Sequence, residues 1–366
     1  MPALNTTATR FASAALFAIA LGAAYVRTPA PPAPGFVTGV NAAIAPLAAM
    51  KSAGNLPPAG AQASAPSLTQ LPDGRIAVAW LGSDAAGENS AVWLSLLSAS
   101  GWSEPQPIAN RENTGGATFM HVNAVARPII QANGETLHFW HEAVLPGGGR
   151  FIAYARSTDD GSTWSKPVRL AASPLGPVGT RLSAAPLPLA DGGFALPASG
   201  SGGHGEWLRL TAEGRLVDLQ RLQAGKQPVA AARDSQHAVI ASQPSTSGFL
   251  LTGRTADGGR SWTEMPDGPQ IAAAPLALLS LPEGRLLLAG NPAAGRNVLR
   301  LWLSADGGSS WQACRDIDNA PDGGASFADP GLLRGSDGRL HLVYSWRQQH
   351  IRHVTFSEAW LTEDCR

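Results

Sequence analysis

Ser157-Thr158-Asp159-Asp160-Gly161-Ser162-Thr163-Trp164 recurs as Thr255-Ala256-Asp257-Gly258-Gly259-Arg260-Ser261-Trp262 and as Ser304-Ala305-Asp306-Gly307-Gly308-Ser309-Ser310-Trp311. The shared order is hydroxyl, Asp, Gly, hydroxyl, Trp. Asp accepts from nearby backbone N–H groups, Gly supplies a positive φ, and Trp plugs the sheet just beyond the turn. The copies start 98 and 49 residues apart. That spacing implies one missing copy and a unit of about 45–50 residues, the size of a four-stranded propeller blade.

A second phrase repeats between the turns: a residue and Pro, an apolar pair, a Gly turn, then an alternating apolar strand. It starts at Ala65-Pro66, Arg127-Pro128, Ala185-Pro186, Ala274-Pro275 and Asp329-Pro330, with hairpin turns at Asp73-Gly74, Asn133-Gly134, Asp191-Gly192, Glu283-Gly284 and Asp337-Gly338. A less regular hairpin runs from Gln227 through Ile240. Each of the six is followed by an outer hairpin, and two outer turns, Leu97 to Trp102 and Thr211 to Arg215, read as decayed copies of the Trp-tipped turn. The expectation is an all-β, six-bladed β-propeller over residues 64–362, with Arg75, Arg285 and Arg339 as solvated strand starts.

Composition agrees with many short strands and tight turns: 366 residues with 41 Gly, 29 Pro and 11 Trp. Lys and Arg number 27 against 27 Asp and Glu, so no basic excess points to nucleic acid and no acidic tail to a disordered segment. Phe11 to Val26 is an uncharged, almost wholly apolar run after Arg10, so residues 1–27 read as a signal peptide or signal anchor. Cleavage near Gly22-Ala23-Ala24 and retention as a membrane anchor are both open, which places the protein in the periplasm, secreted, or tethered to the inner membrane facing outward. Residues 28–63, beginning with a Pro/Ala tract, read as a flexible linker with one short helix near Val40–Met50. Cys314 and Cys365 are too few for a disulfide scaffold, yet could pair in an oxidising compartment and pin the C-terminal tail to the fifth blade.

Loops entering and leaving the innermost strands of a propeller converge at one end of its axis. The polar residues in those positions are Asp84, Glu88, His121, Asn123, Arg127, His141 and Arg181, then Gln227, Asn291, Arg296, Asp329 and Arg347. Acids and guanidinium groups together suit a carboxylated sugar, because Arg binds carboxylate in a bidentate way and a carboxyl can donate a proton to a leaving group. Eight histidines show no HExxH or paired Cys/His spacing, so no metal or other cofactor is expected. Gly200 to Gly205 matches a dinucleotide G-x-G-x-x-G by letter, but the following Glu206 to Leu210 alternates like a strand. No G-x-S-x-G elbow is present for a serine hydrolase.

The Trp-tipped turns resemble the Asp boxes, S-x-D-x-G-x-[ST]-W, of sialidases (neuraminidases) and their relatives, and the resemblance covers about residues 64–362. It implies a mouth with three carboxylate-binding arginines, a Tyr nucleophile paired with a Glu, and an Asp acid/base. The phrase from Asn291 to Asn297 is similar to the segment carrying the third arginine, which implicates Arg296; Asp84 falls where the acid/base Asp is kept, with Glu88 beside it. The departures are as specific. Ser64-Ala65-Pro66 stands where the family reads Arg-Ile-Pro, Ala241 stands where the second arginine is expected, and Ser326-Phe327 replaces the Ser-Tyr of the nucleophile. The closing phrase Tyr344 to Val354 looks like that of a divergent sialidase-like branch lacking the full arginine set.

The resulting expectation is an exo-acting glycosidase on a terminal acidic sugar, sialic or a related nonulosonic acid, of a glycan or exopolysaccharide. Asp84, Glu88 and Asp329 would be catalytic, and Arg296, Arg127, Arg181, Arg347, His141 and Gln227 would bind substrate. The rival reading is a non-catalytic propeller that binds glycans or proteins; a third is an assembly factor of the photosystem-protecting Asp-box type. A monomer with a carbohydrate ligand is expected.

Overall fold

The computed structural model describes residues 11–20, 33–38, 45–170, 179–200, 202–222, 225–244 and 246–365, with Lys226 described by its backbone only. The chain divides into two units, Met1–Ala33 and Pro34–Arg366. In the first, residues 11–20 are helical and exposed. Among the described residues no helix is long and apolar enough to cross a membrane. The Gly22-Ala23-Ala24 segment and the Pro/Ala tract to Pro32 lie outside the described residues.

The second unit is built from six antiparallel blades. Their innermost strands are Gln62–Gln70, Ala124–Asn133, the broken pair Arg181–Leu182 and Leu187–Pro188, then Lys226–Ala232, Ala277–Ser280 and Phe327–Arg334. In each blade the next two strands follow in chain order, as Thr136–Val144 and Arg150–Ser157 do in blade two. Each seam between neighbours holds one apolar cluster. Val92, Val125, Ile130 and Phe139 join blades one and two, Trp140, Tyr154, Phe194 and Leu208 join two and three, and Val343, Ile351, Val78 and Trp80 join six and one.

The outer strand of blade six comes from the other end of the chain. Lys51–Asn55 pairs antiparallel with His350–Phe356, Lys51 opposite Phe356 and Asn55 opposite Arg352. Ser357 seals the joint: its hydroxyl accepts from the Met50 N–H at 3.1 Å, and its own N–H donates to the Met50 carbonyl at 3.1 Å. Within the flexible linker expected over residues 28–63, residues 51–55 and 62–63 are instead strand, while residues 28–32 and 39–44 lie outside the described residues. Phe36 is also fixed, buried in the seam of blades three and four, with its ring edge-on to Trp207 at 6.3 Å and its N–H bonded to the Ser235 carbonyl. Of the short helix expected near Val40–Met50, residues 45–50 are not helical and residues 39–44 lie outside the described residues.

The three Trp-tipped turns form as their residue types dictate. Ser157 Oγ donates to Asp159 Oδ1 at 2.7 Å and accepts from the Gly161 N–H at 2.9 Å. Asp159 in turn accepts from the Thr163 N–H and hydroxyl at 2.8 and 2.6 Å. Gly161 has φ +87°, and a Cβ there would meet Leu94 at 2.4 Å, so only glycine fits. Trp164 and Trp311 return their indole N–H to the turn's own glycine carbonyl. Trp262 departs: its N–H has no partner among the described residues, and its ring packs against Trp207 at 5.0 Å. Arg75 is not simply solvated, because it bonds Asp73 and Asp160 and so ties blade one to the turn of blade two. Arg285 likewise pairs with Glu358 at 2.8 Å.

Cys314, on the outer strand Gln312–Asn319 of blade five, is disulfide-bonded to Cys365, which follows helix Glu358–Thr362. Arg315 reinforces this clamp through Glu363 and Asp364 and by stacking over Trp360 at 4.5 Å. With the cysteines 51 positions apart, a Cys314→Ser/Cys365→Ser variant is expected to lose about 2–4 kcal/mol. Chemical denaturation with and without reductant measures it, the reductant leaving the variant unaffected.

The Asp boxes also set an acid limit. Hydrogen bonds from Thr163 and Ser157 hold the Asp159 carboxyl down at about 2, and at Asp257 bonds from Ser261 and Thr255 outweigh the opposing effect of burial to reach about 2. A depressed native value makes this stabilisation full above the unfolded carboxylate range near ~4 and removes it as pH falls through about 2. Midpoints of urea unfolding between pH 5 and pH 2 should fall less in Asp159→Asn/Asp257→Asn than in wild type.

Candidate functional site at the propeller mouth

Four innermost strands carry the same backbone irregularity. Their pairing with the second strand slips between Ser64 and Ser67, Ala126 and Ile129, Lys226 and Val229, and Ala328 and Gly331. Within each slip lies a residue of left-handed φ followed by proline: Ala65 at +49°, Arg127 at +39°, Gln227 at +48° and Asp329 at +52°. Proline has no N–H for the ladder, and it keeps the residue before it out of the right-handed helical region. The chain bulges there and re-aims the side chain before the proline. Non-glycine residues in this region cost of order 1–3 kcal/mol each, and such strain collects at functional sites.

The bulges ring a cavity of about 710 Å³ at the end of the axis where the inner strands begin. Arg127, Arg181, Gln227 and Asp329 line it, together with Glu142, Arg150, Gln243, Gly200 and Gly203. Arg127 and Asp329 also line the narrow axial channel below, of about 110 Å³, to which all six blades contribute. These two therefore flank the floor where mouth becomes channel. None of the three Asp-box tryptophans lines either space.

Electrostatics divides the charged groups into two sets. Glu142 is buried; its Oε2 accepts from Arg150 Nη1 at 2.7 Å and its Oε1 from the Leu182 N–H at 2.9 Å, so this pair anchors blade three to blade two. Arg127, Arg181 and Asp329 carry no hydrogen bond or ion pair with a described residue, and the buried Gln227 Oε1 has no donor among them. Among the described residues the mouth thus offers two uncommitted guanidinium groups, one uncommitted carboxylate and an amide oxygen.

Other expected site residues stand elsewhere. Asp84 caps its own loop, accepting from the Glu88 N–H at 2.8 Å and from Asn89 Nδ2 at 2.9 Å, and neither Asp84 nor the exposed Glu88 lines the mouth. Arg296 is exposed on the 291–297 loop, and Arg347 is exposed and stacked over Trp346 at 4.5 Å. His141 is 1% exposed; its Nε2 meets Thr114 Oγ1 at 2.9 Å, and burial pushes it down to about 3. It faces the flank of blade two rather than the mouth. Asn291 ties blade five to blade six by donating to the Val298 and Phe327 carbonyls.

Neither tyrosine of the propeller reaches the mouth. Tyr154 bonds His138 Nδ1 and the Ala212 carbonyl between blades two and three, and burial pushes it up to about 12. Tyr344 donates to Asp318, and burial raises its hydroxyl well above the ordinary value. The sequence reading missed Glu142, Arg150 and Gln243. Glu142 sits in a strand, Leu137 to Ala143, that is buried throughout, and a lone carboxylate there requires a partner.

A six-bladed ring with Asp boxes at its periphery and arginines at its mouth defines a sialidase-like propeller. The Hadza microbial sialidase Hz136 superposes with a TM-score of 0.68 at 17% identity, over 82% of this chain but only 66% of its own length. A protein of unknown function from Dyadobacter fermentans superposes at 0.66 and 15%, over 83% of this chain and 97% of its own. For the intramolecular trans-sialidase from Ruminococcus gnavus, in complex with oseltamivir carboxylate, the values are 0.62 and 12%, over 81% and 94%. The model of the BNR repeat-like domain family matches residues 74–342, and the chain belongs to that family. No curated protein matches its sequence.

The buried pair makes the mouth testable on its own. Arg150→Met removes the ion-pair partner of buried Glu142, and is expected to cost about 3–5 kcal/mol. Adding Glu142→Gln should recover most of the loss in a double-mutant cycle followed by thermal unfolding.

Proposed function

We propose that the protein is an exported sialidase-like propeller whose mouth takes the terminal acidic sugar of a glycan or exopolysaccharide, sialic acid or a related nonulosonic acid. The observation that carries this reading is the pairing of Arg127 and Arg181, uncommitted among the described residues, across a concave cavity beside Asp329. A guanidinium fork matches a carboxylate in plane and spacing, and the low dielectric of a pocket strengthens that bond. Arg296 and Arg347 belong to loops at the same end and would extend the cationic rim toward a longer glycan.

As an exo-glycosidase the protein would use Asp329 at the reacting centre, as nucleophile or as base for a water, with the sugar carboxylate held by Arg127 and Arg181. Asp84 or Glu88 would have to leave its loop to protonate the leaving oxygen. A second reading, recognition without turnover, is favoured by the two propeller tyrosines, whose hydroxyls are committed away from the mouth. Export is supported by the apolar run from Phe11 to Val26 and by the Cys314–Cys365 disulfide, a bond that persists in oxidising compartments.

Two measurements on one set of variants test the reading. Calorimetry with N-acetylneuraminic acid and other acidic monosaccharides should give binding that weakens at least about tenfold in Arg127→Ala and in Arg181→Ala, and falls with added salt. Release assays on acidic glycans should show turnover that Asp329→Asn abolishes while binding persists. Binding without turnover establishes the second reading; no binding, or binding indifferent to both arginines, overturns the assignment of the mouth.

A further inference from the structure

We infer that the flank of blade two carries a second carbohydrate site, separate from the mouth, that stacks a neutral pyranose ring. A cavity of about 600 Å³ opens there between helix Arg111–Thr118, which leads from blade one to blade two, and the strands of blade two. Its lining combines Phe119 and Trp164 with Glu112, Asn113 and Lys166 around a floor that includes His141. None of these lines the mouth cavity, and the inference does not rest on the function proposed for it.

Phe119 is the first sign of a ligand. It ends the helix in the left-handed conformation, φ +56°, a position that glycine fills without strain. It is also 94% exposed, so neither the backbone nor the core accounts for a phenylalanine there. His141 is the second. Its ring is 1% exposed, stacks on Phe139 at 4.8 Å and spends Nε2 on Thr114, while Nδ1 has no partner among the described residues. A buried polar atom without a partner just beneath a cavity wall is a cost that a hydroxyl or water admitted by a small shift of that wall would remove.

The chemistry of the walls selects the ligand. A pyranose presents an apolar C–H face and a rim of hydroxyls that both donate and accept. Half-buried Trp164 and exposed Phe119 supply aromatic surface for the face. For the rim, Lys166 donates, Glu112 accepts, and the Nδ2 group of Asn113 is not used by the capping bonds its Oδ1 makes with Asn110 and Thr114. The wall itself carries one positive and one negative side chain, Glu112 being also paired at 2.8 Å with Arg111 outside the lining, whereas the mouth is lined by Arg127 and Arg181, which have no hydrogen-bond or ion-pair partner among the described residues.

The test titrates the full protein with neutral di- to tetrasaccharides of gluco, galacto and manno configuration, reading tryptophan fluorescence and ligand-observed NMR. At least one saccharide should bind wild type and Arg127→Ala alike and lose about tenfold or more in Phe119→Gly and Lys166→Ala. Phe119→Gly keeps the result independent of folding, because glycine relaxes the strained position, and its thermal midpoint should equal or exceed that of wild type. Absence of binding across the panel, binding lost in Arg127→Ala, or binding unchanged in Phe119→Gly would each overturn the inference.

Discussion

Closure of the ring rests on five residues. Lys51–Asn55 is exposed along its whole length and buries almost nothing, so its contribution is the ladder it completes on His350–Phe356. Without it the last blade would have three strands, and blade six would be held to blade one only by the apolar seam from Val343 and Ile351 to Val78 and Trp80 and by a few hydrogen bonds, such as those from Ser345 to the Ala63 carbonyl and between Gln70 and Ser336. Each of the other seams joins blades that the chain already connects in sequence. Ser357, whose hydroxyl and N–H both meet the backbone of Met50, and whose hydroxyl also caps the following helix, marks how closely the two ends of the propeller chain are held.

The closed ring is what gives the mouth its composition. Inner strands 62–70, 124–133, 226–232 and 327–334 are far apart in sequence, yet each reaches the same end of the axis with a bulge and a proline. The strain of a left-handed residue is carried four times, and in three cases the residue is Arg, Gln or Asp. At Ala65 the same backbone device presents only a methyl group, which leaves that sector of the mouth without charge. The rigid tier beneath, with Glu142 locked to Arg150 and to the Leu182 N–H, fixes the wall against which Arg127 and Arg181 stand.

What could be read from the sequence was what local chemistry determines. The Asp boxes announce themselves because every bond in them lies within eight residues, from Ser157 to Trp164, and the hairpins because strand alternation and glycine turns are equally local. Arg127, Arg181, Gln227 and Asp329 were legible from their place beside the strand-opening prolines and at the entry to blade three. Lys-Ser-Ala-Gly-Asn was not legible as a strand, since it has neither apolar alternation nor a nearby partner, and its mate lies some three hundred positions away. His141 and Glu142 show the limit in one dipeptide: strand alternation sends one to the flank and the other to the mouth, and only the register of blade two says which.

The borrowed outer strand also orders events during biosynthesis. The stretch that completes the sixth sheet is made before the first blade, while its mate is made after the other five. Five blades can therefore collect as an open arc, but the circle waits for the sixth, a contact of very long loop and slow closure.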